Sequence, residues 1–248
     1  MELFTSQDRL RLRDVLVSAA HADARISGAA VTGSASVDRE DRWSDIDLAL
    51  CLAPDADKRQ VVQDWTDRMY REHGALDHLD VWRGRTLFRV FLLANTLQVD
   101  LAFWSAAEFG ATGPTFRLLF GTAHERTPTP APAAAHLIGM AWVHALHVRS
   151  SVARGRPWQA EYMLSVVRDQ VLALMCLRHG LSTVEGRGLD DLPPESAAPL
   201  TGGLVRSLEP AELHRAFGVV MNALLHEIEL EDDVLARRLT PALKALVG

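Results

Sequence analysis

The sequence predicts an α+β domain with a small mixed β-sheet, followed by an all-α helical bundle domain. Three observations carry that expectation. Short β-like apolar segments recur up to residue 104, a proline-rich run stands at residues 127–132, and beyond it the apolar residues repeat with helical period. The length of 248 residues fits two ordinary domains at roughly 100 to 200 residues each.

The elements follow in order. A helix is expected from Ser6, whose hydroxyl can cap it, through Leu10, Val15, Leu16 and Ala19 to about residue 24. Strands are expected at residues 29–32, 46–52, 76–82, 86–93 and 97–104, with a helix at 58–73 stopped by Gly74. Residues 94–96 make the turn between the last two strands, and a loop is expected around 110–114. In the run 127–132 each proline lacks an N–H and restricts the residue before it. That run is therefore the connector between a first domain at 1–126 and a helical domain at 133–248. Helices are expected there at 133–154, 158–179, 210–229 and 234–247, with a turn-rich stretch at 186–203.

Composition narrows the class. Apolar residues make up 48% and charged residues 23%, which excludes a disordered or fibrous chain. The longest nearly apolar stretch, 133–148, carries His136, His144 and His147 and falls short of the roughly 20 residues that a bilayer needs. No membrane span is expected. Residues 1–6 have neither a basic region nor an apolar core, so no secretory signal is expected and the protein is assigned to the cytoplasm. Cys51 and Cys176 stand far apart, which argues against a disulfide framework or a zinc knuckle. With 26 Lys plus Arg against 32 Asp plus Glu, the formal net charge is −6. That is the wrong sign for binding long nucleic acid by phosphate neutralisation.

The informative stretch runs from Val31-Thr32-Gly33-Ser34-Ala35-Ser36 through a polar loop ending at Ser44 to Asp45-Ile46-Asp47-Leu48-Ala49-Leu50. It describes a strand, a small-residue turn, a solvated loop and a second strand opening on two carboxylates. Residues i and i+2 of a strand share a face, so Asp45 and Asp47 project together and repel. An all-oxygen site with few protein ligands suits Mg²⁺. Gly33 lets backbone approach a phosphate closely, and the Ser34 hydroxyl can donate to it. Asp100 is an isolated charge in the apolar strand 97–104, which implies a metal or a hydrogen-bond network around it. The chain contains its own control in Asp55-Ala56-Asp57, the same Asp-x-Asp string without a Gly-Ser turn upstream.

Gly33-Ser34, then Asp45-Ile46-Asp47, then the strand residue Asp100 resembles the polymerase-beta superfamily of nucleotidyltransferases over residues 28–104. The following helical region, with Trp158-Gln159-Ala160-Glu161-Tyr162, Arg178-His179-Gly180 and Gly186-Arg187-Gly188, is similar to the aminoglycoside and lincosamide nucleotidyltransferases of antibiotic resistance. The resemblance implies that Asp45 and Asp47 bind Mg²⁺ and that Asp100 completes the metal site or acts as base. It further implies that Gly33 and Ser34 hold a nucleoside triphosphate, with Ser44 in the nucleotide-binding set, and that two ions act. The implied reaction is transfer of a nucleoside monophosphate, AMP from ATP, to a hydroxyl of a small molecule that can be cationic, with release of pyrophosphate.

Glu161 is the fourth candidate catalytic residue, a carboxylate that the helical domain can offer to a substrate hydroxyl or ammonium. Glu161, Ser165, Arg168 and Asp169 share a helix face, which suits a cleft or solvent equally. Trp43 can stack on a base or cover the loop, and His144 and His147 are expected in a core or interface. The rival readings are modification of a protein partner, as by antitoxin-like nucleotidyltransferases, and a non-catalytic nucleotide-binding module. The intact carboxylate trio speaks against the latter, because binding alone does not require all three.

Overall fold

The computed structural model describes residues 3–111, 113–127 and 130–247. Thr112 of the expected 110–114 loop, and Pro128 and Thr129 of the expected connector, lie outside the described residues. The chain divides into two compact units, Met1–Thr129 and Pro130–Gly248.

The first unit opens with α1 (Ser6–Ala22). Its N-cap is Thr5 and not the expected Ser6: the Thr5 side chain accepts from the Asp8 N–H, and the Asp8 carboxylate accepts from the Thr5 N–H at 2.9 Å. This reciprocal capping box is available one residue earlier than the hydroxyl chosen from sequence. β1 (Ile26–Thr32) leads into a single turn of helix, α2 (Gly33–Ser36). Then come β2 (Ile46–Leu52), α3 (Lys58–Glu72), β3 (Ala75–Arg83), β4 (Thr86–Leu93) and β5 (Gln98–Ser105). Gly74, at φ +69°, follows the end of α3 as expected.

Six strands form one sheet in the order β3-β4-β5-β2-β1-β7, where β7 is Phe116–Phe120. Within it β2 and β5 run parallel, while β1–β2, β1–β7, β3–β4 and β4–β5 are antiparallel, so the sheet is mixed. Period-2 alternation gives the central strands two different faces. Leu48, Leu50, Leu101, Phe103, Ala29 and Val31 pack with Leu16 and Ala20 of α1 and with Val61, Trp65 and Met69 of α3 in the larger core. The opposite face carries Ala30, Ala49, Cys51 and Ala102 around Phe109, a thin layer of small side chains. At one end of that same face stand Asp47 and Asp100.

The sequence reading contained no strand beyond residue 104, whereas the structure adds β7 and a short pair, β6 (Gly110–Ala111) with β8 (His124–Glu125). Phe116-Arg117-Leu118-Leu119-Phe120 lacks alternation, so nothing local marks it. Its order comes from pairing with β1 and from Arg117, which bonds Asp38 Oδ1 at 2.7 Å and the Ala35 carbonyl at 2.6 Å.

The second unit is helical: α4 (Ala134–Ala153), α5 (Pro157–Arg178), α6 (Pro194–Thr201), α7 (Pro210–Glu231) and α8 (Asp233–Lys244). Buried Ala141 and Ala145 of α4 share one core with Leu164, Val167 and Val171 of α5 and with Phe217, Val220 and Leu224 of α7. Arg178 at the end of α5 grips the buried Glu227 of α7 with two parallel bonds of 3.0 and 2.9 Å, Nε to Oε2 and Nη2 to Oε1. The stretch expected to be turn-rich holds α6 and a 3-10 turn at Leu189–Asp191, the prolines at 194 and 199 having masked the helix. Among the described residues, no helix is long and apolar enough to cross a membrane.

The control pair also finds its role here. Asp57 caps α3 by accepting from the Arg59 and Gln60 N–H groups at 2.9 and 3.3 Å. Asp57→Ala is expected to cost about 1 kcal/mol, which lowers the melting temperature by about 2 to 4 °C in calorimetry.

Candidate active site

The site is assembled by strand register. β2 and β5 are parallel neighbours that pair Asp47 with Asp100, so the two side chains rise side by side from one face. Asp45 sits two residues before Asp47, just ahead of the strand. Ligand oxygens of Asp45, Asp47 and Asp100 all lie within 4.8 Å of one another, and all three residues are half-buried. β1 runs antiparallel to β2 with Val31 opposite Leu48, which delivers Gly33 to the Asp47 carboxylate. Gly33 has φ +61°, and a Cβ there would lie 2.1 Å from Asp47 Oδ2. Only glycine satisfies both conditions. Ser34 is the second residue of α2, where its carbonyl accepts from the Val37 and Arg39 N–H groups, and Ser36 Oγ donates to the Gly33 carbonyl at 2.7 Å.

A residue the sequence reading passed over completes the centre. Gln98 shares the strand face of Asp100, and its Nε2 donates to Asp100 Oδ1 at 2.9 Å and to Asp45 Oδ2 at 3.4 Å. Its position two residues before Asp100 was the available signal. The amide brings a donor but no charge, so it does not cancel the repulsion. Burial pushes the Asp100 carboxyl up to about 6, the Asp45 charge adds to the rise, and the Gln98 bond opposes it. Three converging carboxylates with a neutral donor between two of them form an all-oxygen set that fits a hard divalent cation such as Mg²⁺.

The loop leading to Asp45 is tied to α1. The buried Arg9 donates to the carbonyls of Asp41 and Ser44 and pairs with Glu40, whose other oxygen pairs with Arg13 at 2.7 Å. The Ser44 hydroxyl is used within the loop, accepting from the Asp41 N–H at 2.9 Å and donating to Asp41 Oδ1 at 3.1 Å. Trp43 is 70% exposed, with the Arg42 guanidinium 4.3 Å over its ring. A cavity of about 350 Å³ between Phe4, Arg42, Trp43, Asp45, Thr96 and Gln98 opens beside the carboxylates.

Glu161 belongs to the helical unit, near the start of α5, where it is half-buried and its Oε1 accepts from Ser165 Oγ at 2.7 Å. Of the residues weighed beside it, His144 bonds the Met140 carbonyl and is half-buried, but His147 is exposed and not in a core. Helix α4 turns it outward, one residue before the buried Val148. Asp80 is held on the edge strand β3 by Arg89, with bonds of 2.6 and 2.7 Å.

No protein-family model matches the chain, and no curated protein matches it. Among solved structures, an aminoglycoside 6-adenyltransferase from Bacillus subtilis is 13% identical, with a TM-score of 0.43 over 98% of this chain and 99% of that one. A nucleotidyltransferase-like protein from Exiguobacterium sibiricum is 14% identical, with a TM-score of 0.35 over 89% of this chain and 76% of that one. The polymerase core of the RNA surveillance complex TRAMP is also 14% identical, with a TM-score of 0.30 over 89% of this chain and 59% of that one. Likeness this loose assigns neither activity nor substrate.

Two outcomes follow from the geometry. Gly33→Ala forces an L-residue to φ +61° and drives a methyl into Asp47 Oδ2, so stability should fall by roughly 1 to 3 kcal/mol. The rise in melting temperature on adding MgCl₂ should vanish with it. Asp100 gives a pH signature. Its folded pKa of about 6 lies above the ordinary 3.8, so the ion-free protein loses stability as pH rises from about 4 through 6. Asp23 and Asp80, held low chiefly by bonds from Arg25 and Arg89, act in the opposite sense but below about pH 4. The stability difference between wild type and Asp100→Asn, followed by denaturant titration, should therefore change across pH 4 to 6.

Proposed function

We propose that the protein is a Mg²⁺-dependent nucleotidyltransferase that moves a nucleoside monophosphate, AMP from ATP, to a hydroxyl of a small molecule and releases pyrophosphate. The observation that carries this reading is the Asp45–Asp47–Asp100 centre, closed on one side by a glycine whose missing Cβ makes room for the Asp47 carboxylate. The Gly33-Ser34 turn and the strand carboxylates are also the residues in which the sequence resembles the polymerase-beta superfamily. An aminoglycoside-like antibiotic is the acceptor that this resemblance suggests.

Asp45, Asp47 and Asp100 would hold the ions, which supply Lewis-acid polarisation of the phosphate and a more acidic acceptor hydroxyl when bound. Gly33 and Ser34 would seat the triphosphate, leaving the α-phosphorus facing the carboxylates. The acceptor oxygen forms a bond to that phosphorus as its bond to the β-bridging oxygen breaks, and pyrophosphate departs. The hydroxyl proton passes to a carboxylate. Asp100, with its Gln98 partner, is the sheet carboxylate assigned that task. Glu161, bonded by Ser165, is the carboxylate proposed to bind the acceptor in the helical unit. The roles assigned are catalysis for the sheet unit and acceptor binding for the helical unit. Two free, buried thiols, Cys51 and Cys176, and a need for ATP suit the cytoplasm.

The test is α-labelled ATP with MgCl₂ and a library of hydroxyl-bearing small molecules, reading pyrophosphate release and labelled acceptor. Asp47→Asn should abolish transfer with the fold intact, whereas Asp57→Asn should stay within about twofold of wild type. Glu161→Gln should keep ATP affinity and lower kcat/KM for the acceptor by about 10²-fold. Equal loss in Asp47→Asn and Asp57→Asn overturns the assignment, and label on a protein band in place of a small molecule transfers it to protein modification.

A further inference from the structure

The sheet face that bears the carboxylates does not end at them. Along β5 the same face continues from Asp100 through Ala102 to Trp104, about 13 Å away at 3.3 Å per residue. There a second cavity, of about 440 Å³, opens between Thr32, Phe88, Trp104, Glu108, Phe116 and Arg126. Thr32 joins the two places, since it lines this cavity and directly precedes the Gly33 that touches Asp47.

The chemistry of the lining is one-sided. The Arg126 guanidinium lies 5.2 Å over the Trp104 ring, and that of Arg83 lies 5.4 Å over Phe88. Cations placed over the aromatic rings make those rings poor platforms for a nucleobase. Among the described residues Arg126 has no carboxylate partner. Among the described residues the indole N–H of Trp104 has no acceptor, and it is closed off from water, so the ring serves as the platform for Arg126 and not as a donor. Hydroxyls of Thr32, Thr86 and Thr115 add donors to the rim. The opposing group is Glu108, one of whose oxygens already accepts from Ser105 Oγ at 3.1 Å.

We propose that this cavity is an oxyanion subsite that holds a phosphate or carboxylate group of a molecule acted on at the carboxylate centre, with Arg126 as its main ligand. The proposal rests on the nucleotidyl-transfer reading for the identity of that molecule but not for the binding itself. Two sources share the chemistry: the polyphosphate end of the nucleotide, and an anionic group on the acceptor.

The experiment titrates pyrophosphate, without divalent ion, into wild type, Arg126→Met, Trp104→Phe and Asp47→Asn, reading heat and tryptophan fluorescence. Arg126→Met keeps an apolar stem on the indole, so the fold is preserved. Binding at least tenfold weaker in Arg126→Met, measurably weaker in Trp104→Phe and unchanged or tighter in Asp47→Asn supports the subsite. Competition between pyrophosphate and Mg²⁺-ATP, with ATP affinity also reduced in Arg126→Met, names the polyphosphate as occupant. Simultaneous binding of both names an anionic acceptor. Equal pyrophosphate affinity in wild type and Arg126→Met, or none in wild type, overturns the subsite. Failure of the catalytic reading looks different, because the pyrophosphate titration would then succeed in a protein that transfers no label.

Discussion

Three carboxylates with oxygens within 4.8 Å of one another repel, and much of the sheet unit serves to hold them there. The parallel pairing of β2 and β5 sets Asp47 beside Asp100, and the buried apolar face beneath, with Leu48, Leu50, Leu101 and Phe103, makes any slip of register costly. Gln98 gives Asp45 and Asp100 a shared donor. Gly33 yields the volume that any other residue would take from Asp47. Burial, with the Asp45 charge added, raises the proton affinity of Asp100, and that cost is relieved by either a proton or a cation.

The same constraint explains the anchoring of the 37–45 loop. Asp45 precedes its strand and cannot be placed by the sheet ladder alone. The buried Arg9, with Glu40 and Arg13, fixes the loop to α1, while Ser44 and Asp41 close it from within. A fully buried guanidinium is tolerated because it meets a carboxylate and two backbone carbonyls at once. The opposite face of the sheet can then remain thin, with alanines at 30, 49 and 102, and that leaves room for ligands next to the carboxylates.

Much of this was legible along the chain. Asp45-Ile46-Asp47 and Asp55-Ala56-Asp57 are the same string, yet the small-residue turn before the first and the apolar alternation within it separated a strand site from a helix cap. The five strands up to residue 105 follow from alternation and turn residues, and the helices after 130 from a 3.6-residue period. What escaped was whatever owed its order to a distant partner. β7 has no alternation and is ordered by β1, the α6 helix is hidden by its prolines, and Gln98 gains its role only by meeting Asp45, 53 residues away in sequence.

The sequence by itself determined the two kinds of architecture and marked Asp45, Asp47 and Asp100 as candidate ligands behind a small-residue turn. These are properties of local period and of single side chains, which the chain carries whether folded or not. Only the tertiary structure decided that Asp47 faces Asp100, that Gly33 abuts Asp47 Oδ2, that Arg9 holds the loop and that Trp104 continues the carboxylate face. Each of those depends on register between strands far apart in sequence, and register is fixed by the simultaneous burial of both sheet faces, a condition that no single segment contains.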